Sequence, residues 1–590
     1  MATIDWVVLA CYFVLTAFVG VFFSRRAGRN TGEFFVGGRK LAWWIAGLSM
    51  VATTFAADTP LAVTELVATR GVAGNWLWWN MVIGGMMTVF FFARLWRRSE
   101  ALTDLEFIEM RYSGRPAAFL RGFRAVYLGL FLNAIIMGWV NLAMASLLEG
   151  FFGIPHEEVF WYLTAALALT AAYSSLSGLW GVAATDAVQF VIAMTGCIVL
   201  ACIVIQSPPV GGIDGLHHKL PATAFHLFPR LGGTAEQAAG MFSLSAGAFF
   251  AYVGVQWWAS WYPGSEPGGG GYVAQRMLAT KNERESVFSV LLFQIAHYCL
   301  RPWPWILVGL ASLVLYPSLP AAEKKLGFVF AMRDYLPAGV RGLLIAAFFA
   351  AYMSTIATHL NWGTSYLVHD LWRRFIRPGL PESSYIRISR VVTLLLMLAS
   401  IVAMSLMTSI SGAWVFLIEC GAGLGLVLIV RWYWWRINAW SEIAATAAPI
   451  LAVAAITLYN GVAGPQGSIL FPYSLFITVG WTTLTWLVVT FLTPPVDRTT
   501  LERFFDKIRP GGPFWKPISM RFGRAATEPI GHLFVAWIFG VVFVYSLLFG
   551  SGALIFGHTE EIFLWAGVSL ASGIIVFFSS HARSGDRISS

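Results

Sequence analysis

A polar interruption of an apolar segment, at residues 48–60, most constrains how this chain can fold. The segment lies within the apolar stretch 41–68 and places threonines, Asp58 and Pro60 near what would be the bilayer midplane. A carboxylate there costs about 2.5–3.5 kcal/mol on insertion scales, and proline removes a backbone donor. The segment therefore predicts a membrane helix that breaks. Carbonyl groups freed by the break need partners, because irregular backbone at membrane depth requires protein or a polar cavity beside it. A cation is one such partner.

Composition places the whole chain in a membrane. Hydrophobic residues make up 58% of it and charged ones 12%, and apolar runs of about 20 residues, enough to cross a bilayer core, recur from end to end. The sequence predicts an all-α polytopic membrane protein of about 15 spans without a separate soluble domain. The predicted spans centre near Ala10, Phe55, Met86, Ile136, Leu167, Met194, Gly247, Phe293, Phe349, Leu396, Leu424, Val453, Ile477, Gly540 and Leu570.

Basic residues alternate between loops along the chain, starting with Arg25, Arg26, Arg29, Arg39 and Lys40 behind the first span. The positive-inside rule puts such loops in the cytoplasm. We therefore expect the N-terminus outside and the C-terminus in the cytoplasm of a bacterial inner membrane. This topology accounts for the net charge of +9. A nucleic-acid partner is not expected, since the basic residues lack aromatic interleaving or a binding fold.

The sequence lacks the motifs of an enzyme. The five cysteines stand singly in apolar segments without metal-ligand spacing, and no loop carries a kinase, nucleotide or catalytic-metal motif. Residues 421–425, GAGLG, lie within a predicted span and favour close helix packing over a dinucleotide loop. We therefore expect no enzyme activity, no cofactor and no metal other than a coupling ion.

A second irregular segment, at residues 248–261, lies five predicted spans after the first. There Gly254, Gln256 and Ser260 interrupt an aromatic run. Interrupted spans at corresponding places in two halves are typical of inverted-repeat transporters, whose binding site lies between the halves. Two unrelated imperfect helices are the alternative interpretation.

Several motifs, in a consistent order along the chain, resemble those of the sodium/solute symporter family. They are FFVGGR at 34–39 followed by Trp43 and Trp44, TDLEF at 103–107 with Arg111 and Tyr112, YSSLSGLWGV at 173–182 running into TDAVQ at 185–189, VAQRMLATKN at 273–282 and MSTIAT at 353–358. The resemblance extends from about Thr31 to Trp440. Because the matches keep the family's order, they are more specific together than any one motif is alone.

The resemblance implies a LeuT-type fold, with a core of two inverted five-helix repeats. One extra helix would precede this core and about four would follow it. The implied division is an extra helix and first loop at 1–30, the first repeat at 31–206, an extracellular loop at 207–239, the second repeat at 240–436, two spans at 437–494, a cytoplasmic loop at 495–528 and two spans with a short tail at 529–590.

The resemblance also implies a sodium site between the broken helix and the eighth core helix. Its ligands would be the backbone carbonyls of Ala52, Phe55 and Ala351 and the hydroxyls of Ser354 and Thr355. Residue chemistry agrees, since hard cations prefer oxygen ligands and residues 351, 354, 355 and 358 share one helical face. The alternative is that these hydroxyls bond to carbonyls one turn earlier, as Ser and Thr often do in spans.

Asp186 is a possible ligand of a second ion. Asp186 belongs to the TDAVQ motif at 185–189. Some family members bind a second sodium through the aspartate of this motif and a further serine on the eighth core helix. In this chain the position of that serine is Ala351, so the site would lack a ligand. Asp186 is alternatively a structural partner of cytoplasmic arginines.

Candidate solute-binding residues come from both predicted repeats, because ionisable and polar residues within spans mark functional sites by default. They are Asp58, Thr59, Trp78, Trp79, Asn80, Gln256, Trp257, Ser260, Trp261, His297, Tyr298, Arg301 and Glu419. Arg301 would alternatively form a buried structural pair with Asp58 or Glu419, and His359 would be a hydrogen-bonded core histidine.

The solute remains open at the level of sequence. Sugar-transporting family members carry a glutamate where this chain has Trp78, and they lack the insertion 263–271. Both departures disfavour glucose or galactose, while tryptophans with a carboxylate and a guanidinium suit a small polar or zwitterionic organic solute. We therefore expect sodium-driven import of such a solute. The alternatives are proton coupling through Asp58 or Glu419 and a transporter-like membrane receptor.

Overall fold

The computed structural model describes residues 1–27, 37–229, 245–407, 409–520 and 529–581. Regular structure in this part of the chain is helical apart from two isolated β-bridges, Leu41–Thr280 and Ser260–Ala422. The motif at 34–39 lies partly outside the described residues, and so do the side chains of the motif at 173–182.

The described residues of the first half of the chain form eight helices of six or more residues. They are α1 (Thr3–Ala27), α2 (Trp43–Thr54), α3 (Asp58–Arg70), α4 (Val72–Ser99), α5 (Glu106–Arg111), α6 (Gly114–Phe152), α7 (His156–Gln206) and α8 (Gly212–Lys219).

The second half begins with α9, which comprises the consecutive segments Ala246–Ala251, Tyr252–Gln256 and Trp257–Ala259. It continues with α10 (Gly271–Ala279), α11 (Glu283–Leu315), α12 (Leu326–Tyr335), α13 (Val340–Ile376), α14 (Glu382–Ser405), α15 (Ile410–Cys420) and α16 (Leu424–Tyr433). The last helices are α17 (Ala439–Gly467), α18 (Tyr473–Leu492), α19 (Arg498–Ile508), α20 (Ile530–Phe556) and α21 (Thr559–His581).

The predicted break in the second span is confirmed. Helix α2 ends at Thr54, α3 begins at Asp58, and the two axes are bent by 59°. The second predicted irregularity is also present, because α9 ends at Ala259 and the chain does not resume a helix until Gly271.

A third break was not predicted. The GAGLG segment was expected inside one span, yet α15 ends at Cys420 and α16 begins at Leu424. The close packing expected of its glycines is present: a Cβ on Gly421 would lie 2.7 Å from the carbonyl oxygen of Trp261. The backbone N–H of Gly423 donates to the carbonyl of Ala259 at 2.8 Å. Two helix breaks are thus held against each other.

Among the described residues, ten helices are long and apolar enough to cross a membrane, or eleven if the bent pair α2–α3 counts as one span. Two shorter apolar helices, Ile410–Cys420 and Leu424–Tyr433, fall below that length, and so does Thr3–Leu15, the part of α1 whose side chains are described throughout. Helix α7 has 51 residues, about 75 Å if straight, which is more than one simple span requires. The count of about 15 spans therefore stays a prediction.

The core is formed by the helices that surround the α2–α3 break. Helix α2 packs on α7 and α11, α3 packs on α11, and α13 packs on α7. The last two helices pair with each other, and α20 also packs on α4 and α11. The Tyr545 hydroxyl donates to the carbonyl of Trp79 at 2.9 Å and the Trp537 indole to that of Ile83 at 2.8 Å. The C-terminal pair is thus attached to the core.

Candidate functional site

The α2–α3 break is held by Arg301 of α11. Its Nη1 donates to the carbonyl of Val51 at 3.2 Å and to Oγ1 of Thr54 at 2.6 Å, and its Nη2 donates to the carbonyl of Thr54 at 3.0 Å. Arg301 is 1% exposed. The carbonyl of Val51 also accepts the backbone N–H of Phe55 at 2.9 Å, whereas the carbonyl of Thr54 stands at the end of α2. A buried guanidinium thus partners a carbonyl at the break, which meets the requirement for partners at membrane depth.

The predicted sodium ligands lie on two helices that face each other. Ala52 and Phe55 stand at the end of α2, while Ala351, Ser354 and Thr355 stand on α13; all are buried. The Thr355 hydroxyl donates to the carbonyl of Thr53 across this interface at 3.3 Å. The structure thus brings the two groups of predicted ligands together.

The hydroxyls of Ser354 and Thr355 bond to other helices, not to carbonyls one turn earlier. Thr355 reaches α2, and Oγ of Ser354 donates to Oδ1 of Asp186 at 2.5 Å. Each hydroxyl oxygen retains lone pairs that a cation can use. The local back-bonding of the alternative interpretation is therefore not what these two hydroxyls show, and the sodium site stays a prediction.

Asp186 is the centre of a buried polar network. Besides Ser354, Oδ2 accepts a hydrogen bond from Oγ of Ser49 at 2.9 Å, and Nη2 of Arg276 lies 4.0 Å away. Nε of Arg276 also donates to Oγ of Ser49 at 3.3 Å. Both carboxylate oxygens thus have protein partners, as expected of a structural partner of an arginine.

A cavity of about 610 Å³ adjoins the break. It is lined by residues from both predicted repeats, and the candidate solute residues among them are Asp58, Thr59, Trp78, His297, Tyr298 and Arg301. Its other lining residues are Thr53, Thr54, Ala56, Met81, Ile136, Trp139, Val140, Tyr262, Pro263, Ser265, Tyr272, Thr355, His359 and Trp414. Its lining combines aromatic rings with a few polar and charged side chains, as small-molecule sites do.

Aromatic rings form much of the cavity wall. Trp78 stacks on Tyr298 with ring centroids 5.6 Å apart, and His297 meets Trp78 edge-on at 5.6 Å. On the other side, Tyr262 meets Trp414 edge-on at 6.2 Å. Such walls suit the apolar face of a ring or an aliphatic body.

The charged groups of the cavity retain unused bonding capacity. Asp58 is 3% exposed, and its Oδ1 has no hydrogen-bond partner among the described residues. In the same part of the chain, Nε of Arg301 and the indole Nε1 of Trp414 are also without a partner. Buried polar atoms are normally satisfied by protein, water or ligand, so the cavity offers one acceptor and two donors to an occupant.

Seven candidate solute residues do not line this cavity. Three of them belong to the packing of α4 and α9: Trp79 is fully buried, the Asn80 amide donates to the carbonyls of Trp76 and Leu77, and the Gln256 amide donates to Leu77. The indole of Trp257 donates to the carbonyl of Val253 at 2.9 Å. Gln256 therefore joins α9 to α4, while the hydrogen bonds of Asn80 and Trp257 stay within their own helices.

The remaining three candidates lie near the other breaks. Ser260 forms a β-bridge with Ala422, and Trp261 lines a second cavity. Glu419 accepts a hydrogen bond from the Ser474 hydroxyl at 2.9 Å, on the side of α15 that faces α18.

Sequence reasoning missed several wall residues. Trp139 and Trp414 sit in apolar helices where nothing distinguishes them from packing residues, and Tyr262 and Ser265 lie beside or inside the insertion. His359 was interpreted as a core histidine: its Nδ1 is 2.6 Å from Oδ1 of Asn133, yet it also lines the cavity. Only Tyr272 had a nearby signal, the VAQRMLATKN motif that follows it.

The sequence of the chain matches one known family of transporters. Residues 34–446 match the sequence model of the sodium:solute symporter family. The sodium/mannose cotransporter SLC5A10 of Bos taurus is 24% identical over 504 residues, covering 79% of this chain and 76% of that protein. The sodium/glucose cotransporter of Vibrio parahaemolyticus is 23% identical over 478 residues, covering 76% and 84%.

A solved structure has a similar fold. It is described as the substrate-bound outward-open state of a Na+-coupled sialic acid symporter. Its TM-score with this chain is 0.64 at 21% identity, and the match covers 84% of this chain and 99% of that one. The similarity extends over nearly the whole of the solved chain and supports the LeuT-type fold.

Proposed function

The chain belongs to the sodium:solute symporter family, and on that premise we propose that it imports a small polar organic solute together with Na+. Transport would proceed by alternating access, with the site near the membrane midplane open to one side at a time. The inward sodium gradient would drive accumulation. The proposed location is a bacterial inner membrane, with the N-terminus outside and the C-terminus in the cytoplasm.

The observation that carries this proposal is the shared wall of the cavity and the predicted sodium site. Thr355 is a predicted sodium ligand and also lines the cavity, and Thr53, whose carbonyl it contacts, lines the cavity too. An ion bound there would order the end of α2 and so shape the solute site. Such a coupling free energy is reciprocal, so the solute would raise sodium affinity to the same extent.

The internal architecture proposed for this function is two inverted five-helix repeats. It is supported by the α2–α3 break in one half and the α9–α10 break in the other. The additional helices, about one before and four after the repeats, would complete about 15 spans.

The proposed solute class follows from the charges and rings of the cavity. Asp58 and Arg301 are its carboxylate and guanidinium, so a neutral or zwitterionic solute leaves the cavity charge balanced. Three relatives are named for mannose, glucose and myo-inositol, which agrees with a polar solute. Trp78 at the position of the family's sugar-binding glutamate favours a solute other than glucose or galactose.

Proton coupling through Asp58 is the second candidate, because Oδ1 of this buried carboxylate has no partner among the described residues. Glu419, the other proposed proton carrier, lies outside the cavity and is bonded to Ser474.

A solute screen separates these candidates. Purified protein in proteoliposomes would be offered radiolabelled sugars, polyols, amino acids and carboxylates, under an inward sodium gradient, an inward proton gradient or neither. We expect one solute class to accumulate only with the sodium gradient. Accumulation driven by protons alone would replace sodium symport with the second candidate, and facilitated equilibration under all three conditions would exclude both.

A further inference from the structure

A glycine-rich loop separates the cavity at the α2–α3 break, which is the proposed solute cavity, from a second cavity. Residues 260–270 connect α9 to α10, and Pro263 and Ser265 line the solute cavity. Glu266, Gly269 and Gly270, the following part of the same loop, line a second cavity of about 420 Å³. The loop is therefore a wall with one face on each cavity.

The loop and the residue that follows it are held by hydrogen bonds to α4 and to the segment between α4 and α5. The Trp96 indole donates to the carbonyl of Gly268 at 2.9 Å, and the backbone N–H of Gly271 donates to Oδ2 of Asp104 at 3.0 Å. Gly268 has a φ of +80°, and a Cβ there would lie 2.7 Å from the carbonyl oxygen of Leu428. The backbone path thus requires glycine and leaves little free space.

Glu266 is buried in this wall with one oxygen unused. It is 3% exposed, its Oε2 accepts the backbone N–H of Gly264 at 3.1 Å, and its Oε1 has no partner among the described residues. A Cβ on Gly271 would lie 2.6 Å from that Oε1, and a Cβ on Gly270 would lie 3.9 Å from Oδ2 of Asp104. The two carboxyl groups therefore flank the same peptide.

The two arginines that line the second cavity have a carboxylate partner other than Glu266. Arg124 and Arg431, which also line the second cavity, both pair with Glu442, at 2.7 Å and 3.3 Å. Asp104, bonded to the Tyr366 hydroxyl and to Gly271, supplies the second negative charge.

Two further groups lie near this cluster. Tyr272 of α10 faces Glu266. Arg111 approaches Glu442 from outside the cavity, and its N–H groups donate to the carbonyls of Arg431, Trp434 and Trp435. An ionised Glu266 would thus face the carboxylate of Asp104 with no donor at its Oε1.

We propose that Glu266 is a proton-binding site on the far side of the loop from the solute, occupied when the loop is closed. A buried carboxylate oxygen that no donor reaches is costly, and such a group takes up a proton instead. The adjacent Asp104 adds like-charge repulsion that the proton removes. The balanced step is the binding of one H+ from water to one carboxylate oxygen, which turns an unpartnered acceptor into a hydroxyl donor inside a polar cavity.

Release of the proton accompanies opening of the loop. Displacement of residues 263–271 would admit water to Oε1 and favour the ionised form, so closure binds a proton and opening releases it. The insertion then makes the transport rate depend on pH at the second cavity. This kinetic consequence rests on the proposed symport function, whereas protonation of Glu266 does not.

Infrared difference spectroscopy on the full-length protein in lipid tests the protonation directly. We expect Glu266→Gln to remove one protonated-carboxyl C=O band at neutral pH relative to the wild type. Asp497→Asn, at a fully exposed cytoplasmic-loop carboxylate, is the matched control and should remove only an ionised-carboxylate band. Loss of an ionised band in Glu266→Gln would overturn the proposal.

A second variant covers the case in which Glu266→Gln does not fold. Asp104→Asn removes the neighbouring charge, so the pH at which the Glu266 carboxyl band disappears should fall by at least about one unit. An unchanged midpoint would overturn the proposal. The spectra require no solute, so a failure of sodium-driven uptake with the carboxyl band present would contradict the proposed function and leave this site intact.

Discussion

Nη2 of Arg301 donates to the main-chain carbonyl of Thr54, 3.0 Å away, at the residue where α2 ends. One guanidinium thereby partners the carbonyl at the end of α2, and the same side chain lines the cavity beside the break. The helix break, the buried charge and the cavity form one structural unit. Substitutions of single residues should affect the helix break and the cavity separately.

Replacing Arg301 with Lys should destabilise the protein. Lysine keeps the charge but loses the planar fork that reaches Val51 and Thr54 together, and each buried acceptor left unpaired costs about 1–3 kcal/mol. We expect a lower unfolding temperature in lipid and weaker sodium binding. Arg284→Lys, at an exposed position on the same helix, is the control and should unfold like the wild type. Equal stability of both variants would remove the proposed role of Arg301.

Replacing Asp58 with Asn should weaken solute binding. Asn keeps the shape but removes the charge of the unpartnered oxygen, and a hydrogen bond to a charged group is worth about 1.5–3 kcal/mol. Apparent affinity should therefore fall about ten- to hundredfold. Glu419→Gln is the comparison, because Glu419 is bonded to Ser474 outside the cavity, and its solute affinity should not change. Normal affinity and pH dependence in Asp58→Asn would contradict a role in the site.

Glu109 on α5 should contribute stability that depends on pH. Burial alone would raise the pKa of Glu109, but hydrogen bonds from Arg121 and Arg374 outweigh it and lower the pKa from its usual 4.5. A lowered folded-state pKa stabilises the fold above the unfolded pKa, and this contribution is lost as the pH falls through the folded pKa. Glu109→Gln should therefore unfold at a lower temperature than the wild type at pH 7. The free energy of unfolding should fall by at most about 1 kcal/mol.

The difference between Glu109→Gln and the wild type should close as the pH falls below about 4. Thermal unfolding at several pH values measures both curves. A gap that stays constant with pH would show that the Arg121–Glu109 contact, 2.5 Å long, does not stabilise the fold through its charge.

The helix break was predictable because its cause is local. A carboxylate and a proline inside an apolar run conflict with a continuous span whatever surrounds them. The cavity wall was not predictable in the same way: Trp78 lines it and its neighbour Trp79 does not, since consecutive side chains of a helix point in different directions. Trp414 and Glu419 likewise share α15 but face different partners. Which face turns inward is decided by tertiary packing.

The predicted membrane topology has its own test. The basic loops predict a cytoplasmic C-terminus, so a reporter that is active only in the periplasm should stay inactive when fused after the last residue. A cytoplasmic reporter at the same position should be active. The opposite pattern would show that the number of spans is even when the N-terminus is outside.

Sodium dependence of uptake in the double variant Ser354→Ala with Thr355→Ala tests the central claim most directly. These hydroxyls would supply two of about five oxygens to the ion. Their removal should raise the sodium concentration for half-maximal uptake at least about tenfold, or about 1.4 kcal/mol, while membrane insertion and folding are retained. Uptake would be measured in proteoliposomes over a range of sodium concentrations, beside the wild type. A sodium dependence identical to that of the wild type would contradict a coupling ion bound at the α2–α3 break.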